Sequence, residues 1–544
     1  MHALGAAPAT LLLGQLGCHA PQPRPAVSPP ASGSTASKPI AGEQAPFSLA
    51  EKSFVQLQAL MDAGTETARS LVEAYRGRID AIDQRGPTLR AVLQLNPEAL
   101  HRAEQLDDER RARGPRGPLH GIPLLLKDNI ATTGPLDTTA GSLALVGTRP
   151  AEEAFVVTQL RDAGAVLLGK SNLSEWANFR SSFAASGWSS RGGQCANPYE
   201  LSRSPCGSSS GSAAATAANL VSAALGTETN GSIVCPASTC GIVGHKPTVG
   251  LVSRSGIVPI SHVQDTAGPM TRTVRDAATL LQVMAGPDPR DAATATATAG
   301  DYLSPLRADA LHGARIGVAR KMMDFHPGVD TVIDAALADL EKAGATVIDV
   351  DLNFPPDLYG DALEVLLYEF KAEIERYLAT LLGPAGTPRS LADLIAYNEA
   401  HRDTVMPYFD QDLFVKAQSK GSLDSSAYRE ARERLHRATR SDGIDRVMAE
   451  HRLDAIAAAT GSPAWKTDLI NGDHYLGGSS TVPAIAGYPH ITVPAGQVHG
   501  LPVGLSLFAE AHSDGRLLAL AYAYEQATSH RQPPALLRNG NGSG

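Results

Sequence analysis

The chain has 544 residues, with 47 Lys and Arg against 56 Asp and Glu, a formal net charge of −9, and its 43% hydrophobic and 19% charged residues are those of a globular protein with a sizeable core. No cluster of Lys and Arg supplies the positive face that phosphate neutralisation needs, so a nucleic-acid partner is not expected. No run approaches the ~18 consecutive apolar residues of a membrane-spanning helix, so no span is expected.

Residues 1–20 carry a short apolar stretch, Ala9 to Leu13, ahead of Gly17-Cys18, and read as a secretory or lipoprotein leader with Cys18 at the place of a lipid anchor. That points to an exported, periplasmic or lipid-anchored protein. Met1-His2 lacks the usual basic residue and Gln15 fits such a site poorly, so a plain tail on a cytoplasmic protein is the alternative. Residues 21–46 are rich in Pro, Ser and Ala and read as a disordered tether.

Five cysteines, Cys18, Cys195, Cys206, Cys235 and Cys240, are too few and too irregular for a disulfide framework. Cys235 and Cys240 lack the spacing of a redox or zinc motif, and no metal site is expected. The body cysteines read as buried free thiols, a disulfide remaining open in an oxidising compartment.

The body, residues 47–532, opens with apolar positions at helical spacing from Phe54 to Asp83, broken near Gly64, which predicts two helices. A third, Pro97 to Arg113, carries mixed charge on a solvated face. Short apolar runs then alternate with helical stretches. The strands are predicted at Ile122–Leu126, Ala165–Leu168, Ser222–Leu225, Arg315–Val318 and Thr346–Val350, and the helices at Glu153–Gly164, Gly211–Leu220, Val274–Met284 and Val329–Ala343. This rhythm predicts an α/β fold, a mixed twisted sheet covered by helices on both faces. Residues 355–452 break it and read as a helical cap insertion. A last helix, Arg516–Ala527, precedes a frayed tail at 533–544.

Within this rhythm the stretch Ser204–Ser212, SPCGSSSGS, runs straight into a small-residue helix, which argues against a linker. No Gly-Lys-Ser/Thr ending follows, so it is not a phosphate loop. Ser209 lies in a Gly-x-Ser-x-Gly string, but the residues before it are polar and include Pro205, a poor strand for a nucleophile elbow. A second loop, Gly226–Ser232, follows a short strand. Backbone amides at Thr229, Asn230, Gly231 and Ser232 can there converge on one oxygen as an oxyanion hole. Lys127, closing the apolar run Ile122–Leu126, is the candidate base.

These segments resemble the amidase signature family: GPLHGIPLLLKDNI (117–130), GKSNLSEWAN (169–178), SPCGSSSGSAAATAANL (204–220), ALGTETNGSIVCPASTCGIVGHKPT (224–248), DTAGPM (265–270) and PAIAGYPHITVPAG (483–496). The resemblance implies the amidase-signature fold and a Ser-Ser-Lys triad whose serines stand 24 positions apart, as Ser208 and Ser232 do. It assigns Lys127 as base, Ser208 as proton relay and Ser232 as nucleophile through an acyl-enzyme, and it implies a cis peptide between Gly207 and Ser208. Cys206 and Ser210 replace common glycines, and Asn230 a common glycine or acidic residue. For Lys127 to accept a proton its pKa must fall from ~10.4 toward ~7–8, which burial supplies. The relay needs no imidazole, so His120, His245, His262 and His490 read as structural.

Within the family, SEWANFRSS and SGWSSRGGQCANPY are most similar to bacterial peptide amidases, which remove C-terminal amides and release ammonia. The expected substrate is therefore a peptide or small-molecule amide, with no cofactor, metal or obligate partner. An aliphatic or aryl amidase of broad specificity, and the glutamine-hydrolysing subunit of a tRNA-dependent amidotransferase, are the alternatives. A non-catalytic binding module is disfavoured by the presence of all three triad residues.

Overall fold

A computed structural model describes residues 47–355 and 357–536. The expectations for residues 1–20, for 21–46, for Cys18 and for all but the first positions of the 533–544 tail lie outside the described residues. From Leu49 on, the chain packs as one unit.

Among the described residues there are thirteen strands, β1 (Val92–Leu95), β2 (Pro123–Lys127), β3 (Val166–Ser171), β4 (Trp188–Ser189), β5 (Gly193–Gln194), β6 (Ala223–Glu228), β7 (Val243–Lys246), β8 (Thr266–Thr271), β9 (Arg315–Val318), β10 (Thr346–Asp349), β11 (Ala455–Ala459), β12 (His490–Val498) and β13 (Leu501–Phe508). Eleven form one mixed sheet in the order β1-β3-β2-β6-β8-β7-β12-β13-β11-β9-β10, and β4 and β5 make a separate ribbon. Parallel pairs lie toward the flanks, β2 with β3 and β6, and β9 with β10 and β11, while antiparallel strands fill the middle. β2, β3, β6, β8, β11 and β13 are buried along their whole length, as strands covered on both faces must be.

The opening helices, Phe54–Asp62 and Ala68–Arg78, each begin with a capping box, Ser53 with Gln56 and Thr67 with Ser70. The predicted helices of the α/β rhythm occur at Phe155–Asp162, Ser210–Ala217, Val274–Met284 and Pro327–Lys342. Ser210–Ala217 is buried at every position. Ala213 and Ala217 let it pack tightly on Ile233, Ala237 and Met270, which is why the sequence is poor in large side chains there.

Between β10 and β11 the described residues are helical, with Leu358–Ala379 the longest of seven segments. Leu367, Phe370, Ile374 and Leu378 of that helix pack with Leu413 and Phe414 from the same region, and with Trp176, Phe179, Val258 and Ile260 from the body. The rings of Phe370 and Phe414 stack with centroids 5.2 Å apart, and the edge of Trp176 meets Phe414 at 5.7 Å.

Arg180 ties the two parts together. Fully buried, it pairs with Glu175 at 2.8 Å, donates to the carbonyls of Val405 and Phe409, and lies over the rings of Phe409 and Trp188.

Candidate active site

β2 and β6 run side by side in parallel, with Leu126 opposite Leu225, so both deliver their C-terminal residues to the same edge of the sheet. That edge is where open α/β sheets place their ligands. Register thus brings Lys127 to Thr227 across 100 residues of chain. The loop ahead of the Ser210–Ala217 helix supplies Ser208, and the turn after β6 supplies Ser232.

Lys127 has no exposed surface. Its Nζ donates to Ser208 Oγ at 2.7 Å, to the Thr227 carbonyl at 3.1 Å and to Thr227 Oγ1 at 2.9 Å. Asn129 holds the Thr227 hydroxyl from the other side at 2.9 Å. Burial pulls the amine down to about 7, against the carboxylates of Glu228 and Asp265, which raise it.

Ser208 is also fully buried, and its carbonyl accepts from the Ser174 amide at 3.1 Å. The Gly207–Ser208 peptide is cis, as the resemblance implied. A Cβ at Gly207 would stand 2.3 Å from Ser174 Oγ, so a larger residue there would displace the Ser174 hydroxyl. Ser209, the middle of the elbow-like string, turns inward: its hydroxyl donates to the Thr227 carbonyl, and its amide donates to the Ser232 carbonyl at 3.1 Å. Ser232 is 7% exposed, the only one of Lys127, Ser208 and Ser232 that reaches solvent.

Glu228 and Asp265 belong to this site, and sequence reasoning did not single them out. Glu228 accepts from the amide of Gly231 at 2.8 Å through one oxygen, and from those of Ile233 and Val234 at 2.8 and 3.1 Å through the other. Gly231's amide is therefore engaged, whereas Thr229, Asn230 and Ser232 keep theirs free of protein acceptors among the described residues. A carboxylate in a Gly-rich turn reads as a surface charge. The usable signal was the turn itself, whose bare amides need an acceptor once buried. Asp265 accepts from Thr229 Oγ1 at 2.6 Å and from the amides of Ile260 and Ser261, and burial raises its carboxyl to about 6. A cavity of about 670 Å³ opens at Asp265 and is lined by His262 and by Glu373 and Tyr377 of the Leu358–Ala379 helix, but Lys127, Ser208 and Ser232 lie outside it.

The four histidines are held by structural partners. His120 bonds the Leu106 carbonyl, His245 bonds Asp514, His490 bonds Ser506, and His262 faces Glu369 and Glu373. The cysteines depart in part from the expectation of free thiols. Cys206 and Cys235 are joined by a disulfide, while Cys195 and Cys240 are free and buried. Cys235 is the second residue of a single short helix, Val234–Thr239, that Cys240 follows, and the face carrying Cys235 meets the serine loop rather than Cys240.

The family model described as Amidase matches residues 70–518. The chain belongs to the amidase signature family. A protein of Arabidopsis thaliana named a probable amidase is 42% identical to this amidase over 506 residues, covering 90% of this chain and 93% of that one. The solved structure of native peptide amidase from Stenotrophomonas maltophilia superposes with a TM-score of 0.86 at 51% identity, covering 90% of this chain and 100% of that one. One component of the glutamyl-tRNA(Gln) amidotransferase of Symbiobacterium thermophilum is 37% identical over 500 residues, covering 90% of this chain and 99% of that one. The mixed sheet with helices on both faces is the fold of these amidases, and this chain is an amidase, an enzyme that hydrolyses an amide C–N bond.

Proposed function

We propose that this amidase hydrolyses C-terminal amides of peptides through a Ser-Ser-Lys triad, forming an acyl-enzyme on Ser232 and releasing ammonia. The observation that carries the chemistry is the 2.7 Å contact between Lys127 Nζ and Ser208 Oγ, made by an amine that burial brings to about 7. The Thr227 carbonyl can only accept, so it takes one proton of the amine and orients the nitrogen. A neutral amine so held turns its lone pair to the Ser208 hydroxyl.

In this reading Ser232 attacks the amide carbon as its proton passes to Ser208 and the proton of Ser208 passes to Lys127. The free amides around Asn230 and Ser232 receive the developing oxyanion, and Glu228 keeps their turn rigid. Collapse expels ammonia, which takes its proton back along the same relay. Water then repeats the sequence against the acyl-enzyme and releases the acid.

The substrate assignment rests on the likeness to the Stenotrophomonas peptide amidase, at 51% identity over nearly its whole length. The Cys206–Cys235 disulfide supports an oxidising compartment, in keeping with an exported protein. The reading is tested by ammonia release from peptide amides, free glutamine and simple aryl amides, measured beside Ser232→Ala. Ammonia from peptide amides that vanishes in Ser232→Ala is the expected result. Ammonia chiefly from aryl amides would overturn the substrate, and glutamine hydrolysis that rises with added amidotransferase components would favour the amidotransferase reading.

A further inference from the structure

The two serine-bearing segments are joined by hydrogen bonds, among them those of the Ser209 hydroxyl with Thr227, and by the packing of the helices that follow them. The Ser209 amide donates to the Ser232 carbonyl, and Thr239 Oγ1 donates to the Pro205 carbonyl at 2.7 Å. One covalent tie joins them. Cys206 lies two residues before Ser208 and Cys235 three after Ser232, and their Cα atoms are 6.0 Å apart across the bridge.

Cys206 has φ +58°, the left-handed region that disfavours a residue with a Cβ. A glycine would take that conformation freely. The cysteine therefore carries a backbone cost here that its sulfur must offset. Both cysteines are nearly buried and lie under Trp465, which shields the bond. Cys206 is also locked into the serine loop by its neighbours: its amide donates to Ser204 Oγ and its carbonyl accepts from Ser210 Oγ. A displacement of either sulfur would be passed on to the adjacent serine.

We propose that the Cys206–Cys235 disulfide is a positioning element of the reaction, holding Ser208 against Ser232 so that turnover depends on the pair staying oxidised. This rests on the Ser-Ser-Lys reading. Neither sulfur touches substrate. The bridge acts only by fixing the approach of the two hydroxyls, where an error on the order of 1 Å costs about a hundredfold in rate.

The test uses the full chain and a small trialkylphosphine. Phosphorus attacks one sulfur and the S–S bond breaks. The other sulfur leaves as a thiolate that takes a proton, and water converts the thiophosphonium ion to phosphine oxide and the second thiol. Phosphorus gives up two electrons and the two sulfurs gain them. Thiols are counted in denaturant before and after treatment, kcat and KM are measured on a peptide amide, and Cys206→Gly and Ser232→Ala are run in parallel.

Reduction is expected to expose two further thiols and to lower kcat by about tenfold or more, with KM within twofold and recovery on reoxidation. Cys206→Gly, whose backbone needs no strain to fold, is expected to show the same loss and no response to phosphine. A Cys206→Gly enzyme with wild-type kcat, a reduced enzyme with undiminished kcat, or a loss confined to KM would each overturn the proposal. Where the bond resists the reagent in the folded protein, Cys206→Gly alone decides. Activity surviving in Ser232→Ala would instead overturn the triad on which the proposal rests.

Discussion

The amine of Lys127 lies 2.7 Å from the hydroxyl of Ser208, and neither residue has any surface in contact with solvent. Withdrawal from water is what makes the pair chemically useful. An ammonium has no lone pair with which to accept a proton, while the neutral amine that burial favours can take one from the Ser208 hydroxyl. The nearby carboxylates of Glu228 and Asp265 act in the opposite sense, so the amine is balanced near neutrality rather than driven far below it.

A pH profile follows from this balance. With Lys127 at about 7, kcat/KM is expected to rise about tenfold per unit up to pH 7 and to level above it. The fold lowers the pKa of a cationic group, so the unfolded chain binds the extra proton between about 7 and ~10.4, and stability should rise with pH across that window. Chemical denaturation of wild type and Lys127→Met at pH 7 and 9 checks the second half: the slope from this residue, up to about 1.4 kcal/mol per unit, disappears in the variant. A flat rate profile from pH 5 to 9 would contradict the role given to the amine.

Glu228 is expected to matter twice. Glu228→Gln keeps the shape but replaces one acceptor oxygen with a donor facing the amides that Glu228 now binds, and it removes a charge that raises Lys127. We expect kcat to fall by about a hundredfold, as for the loss of an oxyanion donor, and the acidic limb of the profile to move below 7. An unchanged limb would mean that the carboxylate does not act on Lys127.

Arg180→Ala should be a stability variant. It leaves Glu175 buried without its counter-charge, with the Ser190 amide still donating to it, and removes the bonds to Val405 and Phe409. Breaking such a pair from one side costs about 3–5 kcal/mol. Denaturant unfolding checks the loss, and limited proteolysis should find its first new cuts near residues 402–414. A variant as stable as wild type would show that the helical segment between β10 and β11 is held elsewhere.

His262→Ala, at a partly exposed ring facing Glu369 and Glu373, is expected to keep kcat within about threefold, since surface changes away from the reacting atoms are usually small. A loss of a hundredfold or more would place an imidazole in the relay.

Much of the site could be read before any coordinates because its parts are locally encoded. The run Pro123–Leu126 is apolar because β2 is buried on both faces, and the lysine that ends it is conspicuous for that reason. The serine loop stands out because its helix has small residues throughout, which its packing demands. The antiparallel middle of the sheet was not legible. β7 and β8 carry Gly244 and Gly268 where branched apolar residues are the usual strand signal, and a Cβ at Gly268 would come within 2.1 Å of the His245 carbonyl. Close strand approach had selected glycine and so erased the strand signal. The Cys206–Cys235 bond was hidden for another reason: it joins the serine loop to the Val234–Thr239 helix across 29 residues of chain, at a spacing that matches no cysteine motif.

The most direct test is to mix the protein with a peptide amide, quench in acid within one turnover, digest, and weigh the peptide that contains Ser232. The expected result is that peptide carrying the mass of the acyl group, with no adduct in Ser232→Ala. An adduct on Ser208 or Ser209, or ammonia release from Ser232→Ala at the wild-type rate, would contradict the assignment of Ser232 as nucleophile.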